Sequence, residues 1–275
     1  MKRNDAIIFR KFVHIMIPAF GTAIAVSLNE FVDSILVSQL LGSKAMAIVN
    51  VCSPVMLFAA CLYLLFGIGG SIIYARLIGE KKEKDAEKIF SLALFSAFVI
   101  SMIVMVLGIF FRVPFAALLA GSSDFKAELY PYLFYAFLSF PFIVVVMTIS
   151  SFLPAMNYPV LASGCAILAN VVNLIMDYVF IKLLHQGTCG AAMATLCGYV
   201  VTGILIVILF ARKMVDVKLS NPFHDLSKES ILEILKLGFA DASIQLGFAL
   251  TWGFRNNMQL VLETMNWSHS PSSCS

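Results

Sequence analysis

The stretch VLASGCAILANVVNLIMDYVFIKL, residues 160–183, decides the class of this fold. It is almost entirely apolar and is long enough to cross a bilayer as a helix, which takes about 20 residues. It nevertheless contains one carboxylate, Asp177, and two asparagines, Asn170 and Asn173. An apolar segment of spanning length with these polar groups predicts a polar site inside a membrane protein.

The composition of the whole chain indicates the same class. Of the 275 residues, 60% are hydrophobic and 13% are charged, whereas about 25% are charged in a typical soluble domain. The net charge of +3 is small and gives no indication of a nucleic-acid partner. The six cysteines and four histidines show no metal-binding or catalytic spacing. We therefore expect no enzyme and no cofactor.

Seven apolar runs of spanning length occur along the chain. Each should be an α-helix, because a segment inside the bilayer must satisfy its own backbone hydrogen bonds. We therefore predict an all-α integral membrane protein, with a six-helix transmembrane bundle and the start of a seventh helix. The predicted spans cover residues 14–40, 48–74, 89–111, 131–153, 160–183, 190–210 and 237–254.

The positions of Lys and Arg predict the orientation of these spans. Most of them fall before the first span, after the second and after the sixth. The positive-inside rule places that side, and with it the N-terminus, in the cytoplasm.

The predicted domains follow from these spans. They are a cytoplasmic N-terminus (1–13), a six-helix lobe (14–210), a cytoplasmic linker with a short amphipathic surface helix (211–236), a seventh helix (237–262) and a polar tail (263–275). The Ser-rich ending favours a truncated form whose carboxy-terminal lobe is missing. A parallel dimer is the other way to supply a second lobe.

The polar residues of the fifth span share one side of its helix. At about 100° per residue, Asn170, Asn173 and Asp177 fall within a sector of roughly 60°. This arrangement favours one wall of a polar site. The alternative is structural, since asparagines also hydrogen-bond neighbouring helices in membranes.

The first span carries a second group of polar residues. Glu30 and Asp33 are three positions apart and share a helix face. They repel each other unless a proton or a cation lies between them, or unless Glu30 points elsewhere in the pocket. Pro18 removes a backbone donor and can bend the helix, and interrupted helices of transporters border their ion sites.

Four motifs, taken in order, resemble the multidrug and toxic compound extrusion (MATE) transporters. Pro18 and Asp33 are followed by SILVSQLLGSKAMA, and GIGGSIIYARLIGEKKEKDAEK resembles the second span with the first cytoplasmic loop. LANVVNLIMDYVFI and GTCGAAMATLCGYV resemble the fifth and sixth spans. The resemblance covers about residues 14–260 and implies one lobe of a twelve-span antiporter, which exports organic cations, drugs or toxic metabolites in exchange for Na⁺ or H⁺.

The resemblance also implies a site. Asp33, Asn173, Asp177 and Thr195 match the residues that form the cation or proton site of the amino-terminal lobe, and we expect Pro18, Glu30 and Asn170 to line the cavity or act at a hinge. The expected partners are membrane lipid and a cationic, amphipathic small molecule, and the expected location is the plasma membrane, here a bacterial inner membrane. The seventh span starts with GFAD, where the family has a Gly-x-Pro-like sequence.

Two other functions stay open at this stage. One is a flippase for lipid-linked sugars from the same superfamily, which cationic residues along the cavity would favour because its cargo is anionic. We find none inside the spans before Arg255. The other is a membrane fragment without transport activity.

Overall fold

A computed structural model describes residues 2–120, 126–215 and 228–268, all of them helices or short connections. Two π-helical segments interrupt the α-helices: Leu64–Ile68 joins α2 to α3, and Tyr178–Leu183 extends α7. The α-helices are α1 (Lys2–Leu41), α2 (Ser43–Tyr63), α3 (Gly69–Gly79), α4 (Glu83–Phe110), α5 (Arg112–Ala120), α6 (Lys126–Phe152), α7 (Pro159–Asp177), α8 (Gly187–Ala211) and α9 (Lys228–Ser268).

Seven stretches of the described residues are long and apolar enough to cross a membrane, which confirms the predicted number of spans. The second span combines α2, its π segment and α3, and the fifth combines α7 with its π segment. The spans cover Phe20–Leu41, Lys44–Gly79, Glu83–Phe110, Ala127–Phe152, Pro159–Leu183, Gly187–Ala211 and Lys228–Thr251.

Two features differ from the sequence-based prediction. Helix α5 lies between the third and fourth spans, where we predicted no helix; it has only nine residues, too few to span a membrane. Helix α9 begins at Lys228 and continues without a break past residue 236. The amphipathic stretch is therefore the first part of the seventh helix and not a separate surface helix. Residues 216–227 of the predicted linker and 269–275 of the predicted tail lie outside the described ranges.

Helix α6 holds the bundle together by packing against α2, α4 and α8. Its Phe140 and Phe152 side chains are fully buried. The Phe152 ring lies edge-on to Tyr74 and to Phe90, with ring centroids 5.7 and 5.1 Å apart. Edge-to-face pairs of this kind contribute about 0.5–1.5 kcal/mol beyond the burial of their area. These rings therefore attach α3 and α4 to the C-terminal part of α6.

Helix α9 packs along the second span through glycines. A Cβ atom on Gly69 would overlap the carbonyl oxygen of Ile234, and a Cβ atom on Gly238 would overlap the carbonyl oxygen of Leu65. The two backbones therefore cross in direct contact, as small residues allow between membrane helices. The glycine cluster FGIGGS, residues 66–71, thus allows close helix packing.

This crossing predicts a position that does not tolerate a methyl group. Gly69→Ala should lower the free energy of unfolding by about 1–3 kcal/mol, because α3 and α9 must separate to admit the new atom. The measurement is thermal unfolding of the purified chain in a mild detergent. The control is Gly164→Ala in α7, where a Cβ would meet no atom within 4 Å. Equal stability of the two variants would contradict the crossing.

Candidate functional site

Asp177 is the last residue of α7, at the point where the helix changes to π geometry. Its residue is only 1% exposed. Neither carboxyl oxygen has a hydrogen-bond partner in the part of the chain that the structure describes. A buried polar group without a partner is unfavourable by about 1–3 kcal/mol, and more when it is charged. Asp177 is therefore placed to take up a ligand that neutralises it.

The neighbour of Asp177 is a second carboxyl group. Asp33 of α1 is partly buried and lies close enough to Asp177 for the two carboxyl groups to influence each other electrostatically. Two carboxylates both accept hydrogen bonds, so neither supplies the donor that the other lacks. Like charges at close range in a medium of low dielectric constant repel strongly. A proton shared by the pair, or a cation between them, removes this repulsion.

A line of amide and hydroxyl groups adjoins the carboxyl pair. The Asn29 side-chain amide donates to Oδ1 of Asn173 over 3.4 Å, and the Asn173 amide donates to Oγ1 of Thr195 over 3.4 Å. The Thr195 hydroxyl donates to the carbonyl oxygen of Ala191 over 3.2 Å. These long contacts connect α1, α7 and α8. Asn173 lies on α7, the helix that carries Asp177, and Thr195 lies on the neighbouring α8. Their side-chain oxygens therefore lie on helices that carry or border the carboxyl pair.

A glycine permits the close approach of α7 and α8 at this point. A Cβ atom on Gly198 would lie 2.5 Å from the carbonyl oxygen of Ala169 and 3.4 Å from Cβ of Asn173. Gly198 lies one turn after Thr195 on α8. Any larger residue would push α8 away and lengthen the contact between Asn173 and Thr195.

The structure brings two further residues to the site that sequence reasoning missed. Asn29 precedes Asp33 by one helical turn, and its polarity inside a span was a signal that could have identified it. Tyr132 of α6 is buried and close enough to both Asp33 and Asp177 to interact with them electrostatically. It lies in a run with several aromatic residues, so only the packing of α6 distinguishes it.

The remaining predicted residues do not join the carboxyl pair. Glu30 is exposed on α1, and among the described groups its charge acts on Tyr199 of α8. Asn170 is partly exposed one turn before Asn173. The chain is helical through Pro18. The described side chains do not include that of Pro18, so the bend predicted there stays a prediction.

The donor set of this site consists of carboxyl, amide and hydroxyl oxygens. Hard cations such as Na⁺ prefer oxygen ligands, and the carboxyl pair also accepts a proton. Among the described residues, no group of three or more His, Cys, Asp or Glu side chains converges. The arrangement is therefore suited to an alkali cation or a proton.

Comparison with known proteins gives one family. The family model described as MatE matches residues 18–179. Among curated proteins, the chain is 25% identical over 236 residues to the multidrug export protein MepA of Staphylococcus haemolyticus, covering 86% of this chain and 52% of MepA. It is 26% identical over 249 residues to MepA of Staphylococcus aureus strain MRSA252, covering 88% and 54%. The chain thus spans about half the length of the curated relatives it matches.

Solved structures share the fold. A multidrug resistance MATE family transporter of the MOP superfamily in its outward-facing conformation superposes with a TM-score of 0.80 at 23% identity, over 87% of this chain and 53% of that chain. An inward-facing conformation of such a transporter gives a TM-score of 0.76 at 24% identity, over 83% and 52%. The helices described above therefore share the fold of about half of these transporter chains.

The unpartnered carboxyl predicts a variant that is more stable than the natural chain. Asp177→Asn should raise the free energy of unfolding by about 1–3 kcal/mol in Na⁺-free buffer at alkaline pH, where neither a cation nor a proton neutralises the carboxyl pair. It removes a buried charge and supplies an amide donor for Asp33. Thermal unfolding in detergent measures the change. Asp241→Asn, at an exposed carboxyl of α9, is the control and should change stability by about 0.5 kcal/mol or less. A less stable Asp177→Asn chain would contradict the assignment.

Proposed function

The chain belongs to the MatE family, and from this premise we propose that it forms the ion-coupling lobe of a cation-coupled antiporter. The antiporter exchanges Na⁺ or H⁺ for organic cations, drugs or toxic metabolites by alternating access. The observation that carries the proposal is Asp177, whose two buried oxygens lack a donor among the described residues and lie near the carboxyl of Asp33.

In this proposal Asp33 and Asp177 hold the coupling ion. Asn173 and Thr195 add neutral oxygens beside the pair. These oxygens can replace some of the water molecules around a small cation. A proton and Na⁺ compete for the same carboxyl oxygens, so occupancy by either lowers the repulsion between the two acids. Asn29 is a positioning residue whose amide holds Asn173, and Tyr132 is a buried neighbour of the carboxyl pair.

Ion binding can act on the lobe because the site joins three helices. Asp33 lies on α1, Asp177 on α7 and Thr195 on α8. Among the described spans, the first is the most exposed, so α1 is held to the bundle in large part by its contacts with α7. An ion between the carboxyl groups favours a conformation with α1 drawn towards α7, and its release favours the other.

Transport by rocking two repeats requires a second bundle. The curated relatives are about twice as long as the matched region, which supports a second six-helix lobe as the partner. A parallel dimer of this chain is the other arrangement. A lone copy of the six-helix bundle is expected to bind the ion without transporting substrate.

The proposed substrate is a cationic, amphipathic small molecule. MepA of Staphylococcus carries the description of a multidrug export protein, and Glu30 places an exposed negative charge in the first span. In the first six described spans, Lys and Arg lie towards the helix ends, and only the seventh carries one further inside, Lys236, which does not favour an anionic cargo such as a lipid-linked sugar. Lys44, Arg76, Arg112 and Lys182 show this distribution.

The proposed location is the cell membrane of a bacterium with the N-terminus in the cytoplasm. Lys81, Lys82 and Lys84 follow the second span, and Arg212 and Lys213 follow the sixth, whereas the opposite side carries fewer basic residues. The positive-inside rule then assigns the side rich in Lys and Arg to the cytoplasm.

The function predicts how export depends on Asp177. Uptake of a fluorescent lipophilic cation into inverted membrane vesicles is measured under an imposed Na⁺ or H⁺ gradient. We expect no gradient-driven uptake by the chain where crosslinking shows it to be monomeric. Where the chain is paired with a second bundle, we expect uptake that Asp177→Asn abolishes and Asp241→Asn preserves.

Either of two results would refute the proposal. One is robust coupled uptake by a verified monomer. The other is uptake by the paired form that is unchanged in Asp177→Asn, since the coupling ion would then bind elsewhere.

A further inference from the structure

A second set of polar side chains lies at the middle of the membrane. Glu30 stands 10 residues from one end of the first span and 11 from the other, and Tyr199 stands 12 residues from each end of the sixth. Tyr63 lies near the middle of the second span and Asn170 near the middle of the fifth. Because each span crosses the same bilayer, residues at the middle of their spans share one depth. The four residues therefore form one layer, the midplane layer.

The midplane layer is adjacent to the carboxyl pair but separate from it. Asp33 follows Glu30 by 3 residues on α1, and Asp177 follows Asn170 by 7 residues along the fifth span. At a rise of 1.5 Å per residue, these steps are about 5–10 Å along the helix axes. The carboxyl pair thus lies nearer the side of the membrane where the first and fifth spans end.

The helices that carry the midplane layer pack against one another. Helix α1 contacts α2, α7 and α8, and α8 also contacts α2 and α7. The charge of Glu30 acts on Tyr199, and Tyr63 also lies within electrostatic reach of Tyr199. Both tyrosines are partly buried. The acid and the two rings are therefore neighbours, and Glu30 lies on the side of α1 that borders α8.

Glu30 is an acid at an unfavourable depth. A carboxylate at the centre of a membrane helix costs about 2.5–3.5 kcal/mol on insertion scales, and such acids pair with another group or face a water-filled cavity. Glu30 is exposed, and none of the ion pairs among the described residues involves it. The described part of the chain thus leaves its charge accessible to a cation.

We propose that Glu30, Tyr63 and Tyr199 bind the ammonium group of the exported organic cation at the membrane midplane. The inference rests on the proposed function, and it narrows the substrate to molecules with an alkylated ammonium group. The Glu30 carboxylate neutralises the charge of this group, the faces of the two tyrosine rings lie against it, and Asn170 adds a neutral amide at the same depth.

The chemistry of the midplane layer suits an ammonium group better than a small ion. An alkylated ammonium has few N–H donors or none, and proteins recognise it through the negative faces of aromatic rings. A small ion such as Na⁺ needs several oxygen ligands around it, which the carboxyl pair and its neighbours offer and the midplane layer does not. The two adjacent sites therefore select different cations.

The short distance between the two sites gives them opposite occupancies. Positive charges repel strongly at close range in a medium of low dielectric constant. A proton or cation at Asp33 and Asp177 therefore weakens binding of an organic cation at Glu30, and the organic cation weakens binding of the ion by the same factor. An antiporter needs this mutual exclusion.

The test is equilibrium binding of ethidium, a fluorescent aromatic cation with a quaternary nitrogen. Its fluorescence anisotropy is measured with the purified chain in phosphatidylcholine nanodiscs in Na⁺-free buffer, and empty nanodiscs give the background. We expect Glu30→Gln to raise the Kd about tenfold, because the charge-assisted contact is lost. Tyr199→Leu should raise it about fivefold, whereas Tyr199→Phe, which keeps the ring face, should leave it within about twofold.

Two controls separate this site from general attraction. Asp241 is an exposed carboxyl near the middle of the seventh span, so Asp241→Asn removes the same charge at a similar depth and should leave the Kd unchanged. Nile red, a neutral aromatic dye, should bind the natural chain and Glu30→Gln equally.

Several results would overturn the proposal. They are an unchanged Kd in Glu30→Gln, an equal loss in Asp241→Asn, and a loss in Tyr199→Phe as large as that in Tyr199→Leu. If Asp177→Asn abolishes ethidium binding while Glu30→Gln preserves it, the organic cation binds at the carboxyl pair instead.

The binding assay uses no gradient, so it is independent of the uptake assay. Unchanged ethidium binding in Glu30→Gln, with coupled uptake still abolished by Asp177→Asn, would reject the ammonium site and leave the proposed function standing. Weakened binding in Glu30→Gln, with uptake that does not depend on Asp177, would support the ammonium site and refute the proposed coupling.

Discussion

The carboxyl group of Asp177 is the constraint on which this structure depends. It lies inside a bundle of apolar helices, is 1% exposed and has no donor among the described residues. If Asp177 served only in helix packing, an apolar residue would be more stable at this position, because a buried polar group without a partner destabilises the fold. Its neighbour Asp33 adds a second acid. In the function proposed above, a proton or cation that belongs to the site accounts for this arrangement.

Small residues give this constraint its geometry. Gly198 lets α8 approach α7 next to Asn173, and Gly69 and Gly238 let α9 cross the second span backbone to backbone. In a membrane, helices gain little from hiding apolar surface, so close packing and hydrogen bonds must hold them together. Gly198 at the site and Gly69 and Gly238 at the seventh helix therefore have the same role: each lets two helix backbones approach closely.

The sequence was sufficient for the seven spans, since a long apolar run inside a bilayer has only the helical option. It also indicated Asp33, Asn173 and Asp177 as candidate site residues, because polar groups in such runs are conspicuous, and their role stays a prediction. It did not find Tyr132, whose role depends on how α6 packs. The short helix α5 was missed because nine residues satisfy no spanning pattern. The continuity of α9 was missed because an amphipathic stretch suits a surface helix and a bundle edge equally well.

Infrared difference spectroscopy on the chain in lipid nanodiscs tests the central claim most directly. The carboxyl stretching region is recorded while pH or Na⁺ concentration is changed. A proton or cation held between Asp33 and Asp177 predicts a carboxyl band that responds to both changes, is lost in Asp177→Asn and persists in Asp241→Asn. A spectrum without a responsive carboxyl band, or one that is unchanged in Asp177→Asn, would contradict the account.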